Sequence, residues 1–175
     1  MERKILSETE VCFGSVNQFQ KFDRKEIKDF ILKHKNERFF DPFLNRFYDV
    51  KLPYHNNIYT LQCYLRDVYR VKSGRGLVPF SCFAQVLSKG ENSFKRNHVN
   101  QTDLQNSSDI TFVVPIQGDT LITIEYSDHR DKGRFWVVPF TENEFVAFNS
   151  DLDYYINKNS KEEDLIYLIY NFKKD

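Results

Sequence analysis

The stretch ITFVVPIQGDTLITIEY, residues 110–126, holds two apolar runs split by Gln117-Gly118-Asp119. Val, Ile, Thr, Phe and Tyr dominate both runs, and these side chains suit a pleated, half-buried surface. The Gly-Asp pair between them is turn chemistry. The stretch therefore predicts two antiparallel strands, at 110–116 and 120–126, joined by a tight connection. The same texture recurs at 78–88, 134–140, 144–149, 153–157 and 165–172, with polar or turn-forming residues at 127–133, 141–143 and 157–164. That makes about seven short strands after Gly76, a spacing that argues for a sandwich or barrel and against a parallel sheet. The last of them, LIYLIYNF, is apolar on both faces, as a strand covered on both sides would be.

Before Gly76 the texture is helical. Asp23 followed by Glu26 reads as a capping box that opens a helix over 23–36, with Ile27, Phe30 and Ile31 on one face. Ile58, Leu61, Leu65 and Val68 recur at three- and four-residue steps and predict a second helix, stopped by the KSGRG stretch at 72–76. TEVCFG, residues 9–14, alternates as a short strand. Residues 39–54 are dense in aromatics with Pro42 and Pro53 as punctuation, which reads as an irregular segment wrapped on the core. The expected fold class is α+β, mainly β: a double-stranded β-helix (jelly-roll, cupin-like) barrel with two N-terminal helices packed on it. It is expected as a single domain over 1–175, with a helical part at 1–76 and the β-helix part at 77–175.

A chain of 175 residues that is 41% hydrophobic can bury one sizeable core, and 17 Phe and 10 Tyr against one Met and one Trp make ring packing its main material. Lys plus Arg equals Asp plus Glu at 25 each, so no global field draws the protein to phosphate backbones or anionic lipid. Nucleic acid and membrane are not expected as partners. The opening MERKILSETE lacks an apolar signal core and no run approaches a membrane span, which predicts an intracellular protein. Cys12, Cys63 and Cys82 are odd in number and sit in apolar runs, as buried free thiols do.

Chemistry has few residues to draw on. His34 and His55 read as surface residues, and His129, between Asp128 and Asp131, as part of a polar hairpin tip. His98 stands out, eight residues past the Ser88-Lys89-Gly90 turn and followed by Asn100 and Asp103. A mononuclear iron site there needs two imidazoles and one carboxylate on one face, and His98-Val99-Asn100 supplies an amide where the anion belongs. Asp103 reaches it only if the loop folds back. Nucleophile-elbow, P-loop and HExxH patterns are missing, and the Asp151 and Asp153 pair reads as a solvated edge.

The order of the helix IYTLQCYLRDVYR, the strand FAQVLSKG, a histidine-bearing loop, ITFVVPIQGDTLITIEY, FVAFNSDLDYYINKNS and LIYLIYNF resembles the small iron/2-oxoglutarate oxygenase-like proteins of tailed bacteriophages. The likeness covers about 58–172 and is one of pattern and order. It implies that the first histidine and carboxylate fall on His98 and Asn100. The distal histidine's place, after 148–153, is held by Tyr154 or Tyr155. The arginine that pairs with the far carboxylate of 2-oxoglutarate would fall near Asp164 or Leu165, and neither can do that. Lys161 or Arg134 are the substitutes within the chain. The candidate site, His98, Asn100 and Tyr154, is thus degenerate. The resemblance leads to the expectation of a non-catalytic structural or interaction component of a phage particle, found in host cytoplasm or virion. It would use no cofactor and take other protein subunits, including virion components, as partners through exposed rings. The alternative is an active Fe(II)/2-oxoglutarate-dependent oxygenase, a hydroxylase with an altered ligand set. A cupin-like small-ligand binder is a third reading.

Overall fold

A computed structural model of the chain describes residues 9, 11–16, 22–41, 46–50, 52–99, 102–127 and 133–175. The described residues are mainly β, with two α-helices and two antiparallel sheets.

The first helix, α1 (Arg24–Lys33), opens where the sequence places it: the Asp23 carboxylate accepts the Glu26 N–H at 3.0 Å. The second, α2 (Asn56–Ser73), closes on Gly74 at φ 71°, a left-handed position that favours glycine, with the Gly74 N–H on the Arg70 carbonyl at 2.9 Å. Among the described residues no helix is long and apolar enough to cross a membrane.

The strands are β1 (Val11–Ser15), β2 (Arg38–Asp41), β3 (Arg46–Val50), β4 (Leu77–Leu87), β5 (Ile110–Gln117), β6 (Thr120–Ser127), β7 (Gly133–Phe140), β8 (Glu144–Asn149), β9 (Asp153–Ile156) and β10 (Leu165–Lys174). Seven form one sheet in the order β1-β8-β5-β10-β4-β3-β2, and three form a smaller sheet in the order β7-β6-β9. Residues 110–126 thus give two strands in different sheets: β5 pairs with β10 and β8, while β6 pairs with β7 and β9. The expected tight hairpin is not made. The turn at Gly118, φ 85°, instead carries the chain from one sheet to the other.

The two-sided apolarity of β10 follows from its place. Ile166, Leu168, Tyr170 and Phe172 pack in the layer that includes Ile27, Ile31, Leu61 and Leu65 of the helices. Leu165, Tyr167 and Ile169 pack in a second layer with Ile122, Ile124, Phe140, Tyr154 and Ile156 of the small sheet. Alternate side chains of one strand thereby serve two cores.

Residues 39–54 differ from expectation. Arg38–Asp41 and Arg46–Val50 pair as strands, and Val50 joins the large sheet opposite Ala84. The aromatic runs Phe39-Phe40 and Phe47-Tyr48 are good strand formers, and Pro53 follows β3, where it removes no ladder hydrogen bond; Pro42 lies outside the described residues.

Candidate functional site

Residues 93–98 leave the Ser88–Gly90 turn and run along the free side of β9. The Ser93 N–H reaches the Ile156 carbonyl at 3.1 Å, Arg96 and Tyr154 exchange N–H to carbonyl bonds at 3.0 and 2.9 Å, and the His98 N–H reaches the Ser150 carbonyl at 2.8 Å. These bonds, at 93, 96 and 98, hold the segment along β9, and Arg96 and His98 both pack against the rings of Phe83 and Tyr154. The segment forms one wall of a cavity of about 500 Å³, with Asp49, Phe80, Phe83 and Asn171 on other walls.

His98 Nε2 lies 2.8 Å from the Tyr154 hydroxyl oxygen. Burial first, and the Arg96 cation second, hold the imidazole well below its ordinary 6.5, so it is neutral at neutral pH. Burial also raises the Tyr154 phenol above its ordinary 10, so the phenol keeps its proton. Because the Tyr154 oxygen already accepts from Arg96, we assign Tyr154 as the donor to the Nε2 lone pair and place the imidazole proton on Nδ1. The His98 ring packs 5.5 Å from the Phe83 ring. The Ser108 hydroxyl donates to the His98 carbonyl at 2.9 Å, fixing the backbone from the other side.

Arg96 Nη1 contacts both oxygens of Asp49, at 3.0 and 2.9 Å, and its guanidinium lies 5.1 Å from the Phe83 ring centre. Gln85 Nε2 donates to Asp49 Oδ1 at 2.7 Å, and the Tyr167 hydroxyl donates to Gln85 Oε1. Asp49 is buried, and desolvation raises its pKa against the pull of Arg96 and Gln85. Desolvation works against the Arg96 charge too, but the Tyr154 and Asp49 oxygens outweigh it and keep the guanidinium protonated.

Of the residues singled out in the sequence, His98 and Tyr154 are brought together and Asn100 lies outside the described residues. Tyr155 faces the opposite side of β9 from Tyr154. Asp103 caps a short turn, accepting from the Asn106 side chain at 2.7 Å, and does not fold back. Asp164 accepts from the Ser88 hydroxyl, Leu165 is core, and Lys161 pairs with Asp119, all away from the cavity. Arg134 lies on β7, with Phe135 and Trp136 exposed beside it. His55 pairs with Glu26 at 3.3 Å, and His129 lies outside the described residues. Cys12, Cys63 and Cys82 are free but only partly buried. Sequence reasoning missed Arg96 and Asp49. The signal for Arg96 was its two-residue spacing from His98.

The two-imidazole, one-carboxylate iron set is not made by these residues. Among the described residues no three of His, Cys, Asp and Glu come together. What they offer is one imidazole and one phenol aimed at each other, beside a carboxylate already held by Arg96 and Gln85.

No family model matches the sequence, and no curated protein matches it. Solved structures do match in fold. The chain is similar to the non-heme alpha ketoglutarate dependent carbocyclase SnoK from nogalamycin biosynthesis, with a TM-score of 0.69 and 8% identity over 94% of this chain and 79% of that one. It is similar to a Pseudomonas putida prolyl-4-hydroxylase, with a TM-score of 0.64 and 12% identity over 93% of this chain and 91% of that one. The epimerase SnoN, solved in complex with Fe3+, alpha ketoglutarate and nogalamycin RO, gives a TM-score of 0.58 and 9% identity over 93% and 78%. The chain therefore shares its fold with these three solved enzymes.

Two expectations are corrected by this finding. A non-catalytic component of a phage particle was expected, yet these neighbours are enzymes and nothing in the fold points to a virion role. No cofactor was expected either, yet SnoK is alpha ketoglutarate dependent and SnoN was solved with Fe3+ and alpha ketoglutarate. Sequence spacing alone does not distinguish lost chemistry at His98 and Asn100 from a changed ligand set.

Proposed function

We propose that the chain is an Fe(II)/2-oxoglutarate-dependent oxygenase, a hydroxylase in reaction class, with an altered ligand set. It is also read as a double-stranded β-helix. The support is the alternation of β4, residues 93–98, β5, β6, β7, β8, β9 and β10 between the sheets, in the order large, small, large, small, small, large, small, large.

One observation carries the functional reading. A neutral imidazole, His98, presents Nε2 to a phenol oxygen, Tyr154, at 2.8 Å on the wall of a cavity of about 500 Å³. An uncharged imidazole lone pair is what a metal requires of histidine, and burial secures that state here. His98 is the retained donor and Tyr154 the exchanged one. The chain's own contribution is to hold these groups: Ser150 and Ser108 fix the His98 backbone, Phe83 fixes its ring, and Phe80, Phe83 and Phe94 form the apolar part of an otherwise polar cavity lining. The test is ferrous iron binding under anaerobic conditions together with 2-oxoglutarate consumption, both lost in His98→Ala. Absence of both in the wild type would overturn the reading.

A further inference from the structure

We propose that β7 is the contact edge of a symmetric homodimer: the β7 strands of two copies pair antiparallel about a two-fold axis at Phe135 and join the two small sheets into one. In the order β7-β6-β9 the outer side of β9 is taken by residues 93–98, which leaves β7 as the open edge. Among the described residues no backbone hydrogen bond reaches that edge.

The strand has little of the protection that edges usually carry. It pairs with β6 from Gly133 to Phe140 without a register shift, so no bulge turns it away, and residues 135–140 bear no charge. It is apolar on both faces. Phe135 is 72% and Val137 40% exposed on one face, and Trp136 is 44% exposed on the other, where its ring meets that of Phe13 at 5.2 Å. Phe13, Tyr126 and Leu121, exposed in their turn, extend the patch. At about 150–250 Å² per whole ring, these side chains leave on the order of 500 Å² of apolar surface per copy. Covering it on two copies removes on the order of 1,000 Å², where specific interfaces begin. A groove of about 490 Å³ between β1 and β7 gives the inward side chains of an added strand room.

Pro139 sets the register and thereby the kind of partner. The Asn157 N–H reaches the Leu121 carbonyl at 2.9 Å, so Leu121 turns its backbone towards β9 and away from Pro139, which stands opposite it on β7. Pro139 therefore points its backbone outward, where the missing N–H costs the β6 ladder nothing. By alternation Gly133, Phe135 and Val137 present their backbone groups outward as well. Two copies centred on Phe135 set Phe135 against Phe135 and Gly133 against Val137, which uses all three N–H groups and leaves the prolines out. Centred on Trp136 instead, the pairing brings Gly133 opposite Pro139 and loses a bond at each end. The Phe135 register also sets Trp136 of each copy beside Arg134 of the other, a ring against a guanidinium. An edge that completes itself in this way fits a second copy of this chain.

The test is the molar mass of the purified chain by light scattering over a concentration series, at low salt and with a reductant that keeps Cys12, Cys63 and Cys82 free. The wild type should reach the mass of two chains. Phe135→Lys and Phe135→Glu each set like charges face to face, and each should weaken the dimer at least about tenfold. An equal mixture of the two should dimerise more tightly than either alone, because position 135 meets itself. Val137→Lys and Val137→Glu, at a position that faces Gly133, should show no such gain on mixing. Cooperative thermal unfolding of each variant checks that these exposed substitutions leave the fold intact. A wild type that stays monomeric across the series assigns the edge to a different partner and overturns the proposal. A dimer indifferent to both charges at Phe135, or a gain on mixing at Val137 in place of Phe135, does so too. No metal or cosubstrate enters the contact, so the outcome stands apart from the oxygenase reading.

Discussion

The Tyr154 hydroxyl and His98 Nε2 lie 2.8 Å apart, joining β9 to the segment that runs beside it. The bond occupies the imidazole lone pair and ties β9 to the segment that forms one wall of the cavity. Replacing Tyr154 by Phe removes the donor and leaves a buried acceptor unpaired. The expected cost is about 1–3 kcal/mol in urea denaturation, with the midpoint lowered and the slope unchanged. A variant as stable as the wild type would mean that the bond contributes nothing.

The depressed pKa of His98 makes stability depend on pH. The unfolded imidazole takes up a proton near pH 6.5 while the folded one resists it. The unfolded state therefore binds more protons below that value, and stability is lost as pH falls from about 6.5 towards the folded pKa. Denaturation midpoints measured between pH 7.5 and 5 should decline for the wild type. In His98→Gln the decline should be shallower, and equal slopes would contradict the assignment.

The Arg96–Asp49 pair is the other electrostatic commitment of the cavity wall. Arg96→Met leaves the Asp49 carboxylate buried without its counter-ion, at an expected cost of about 3–5 kcal/mol near neutral pH. An acid whose folded pKa is raised carries its penalty above that pKa and is relieved as pH falls through it. The deficit of Arg96→Met should consequently shrink on acidification, as measured by chemical denaturation at several pH values. A deficit independent of pH would place the loss in packing of the long side chain.

Much of this arrangement was legible in the sequence, and the exceptions have physical causes. The period of two in 165–172, with apolar residues at both phases, announced a strand between two layers, and β10 is that strand. Asp23 with Glu26 and the glycine at 74 located the helix ends because capping is local chemistry. The β2–β3 hairpin was not legible, since its rings show no alternation and its prolines look like breaks. Nor was the route of 110–126 between sheets, because a turn sequence specifies a local bend and not the partners of the strands beyond it. Residues 93–98 are polar and read as loop. Their extended form comes from hydrogen bonds to β9, more than fifty residues on, and a contact of that range leaves no local pattern. Asp49 is hidden for the same reason, 47 positions from Arg96.

The proposed oxygenase activity depends on His98 and an altered ligand set. Its decisive test is anaerobic titration of the purified chain with ferrous iron, followed by admission of oxygen and 2-oxoglutarate. The expected result is one iron per chain and consumption of 2-oxoglutarate, with both lost in His98→Ala while that variant keeps its cooperative unfolding. Wild-type protein that binds no iron and leaves 2-oxoglutarate untouched would overturn the proposal.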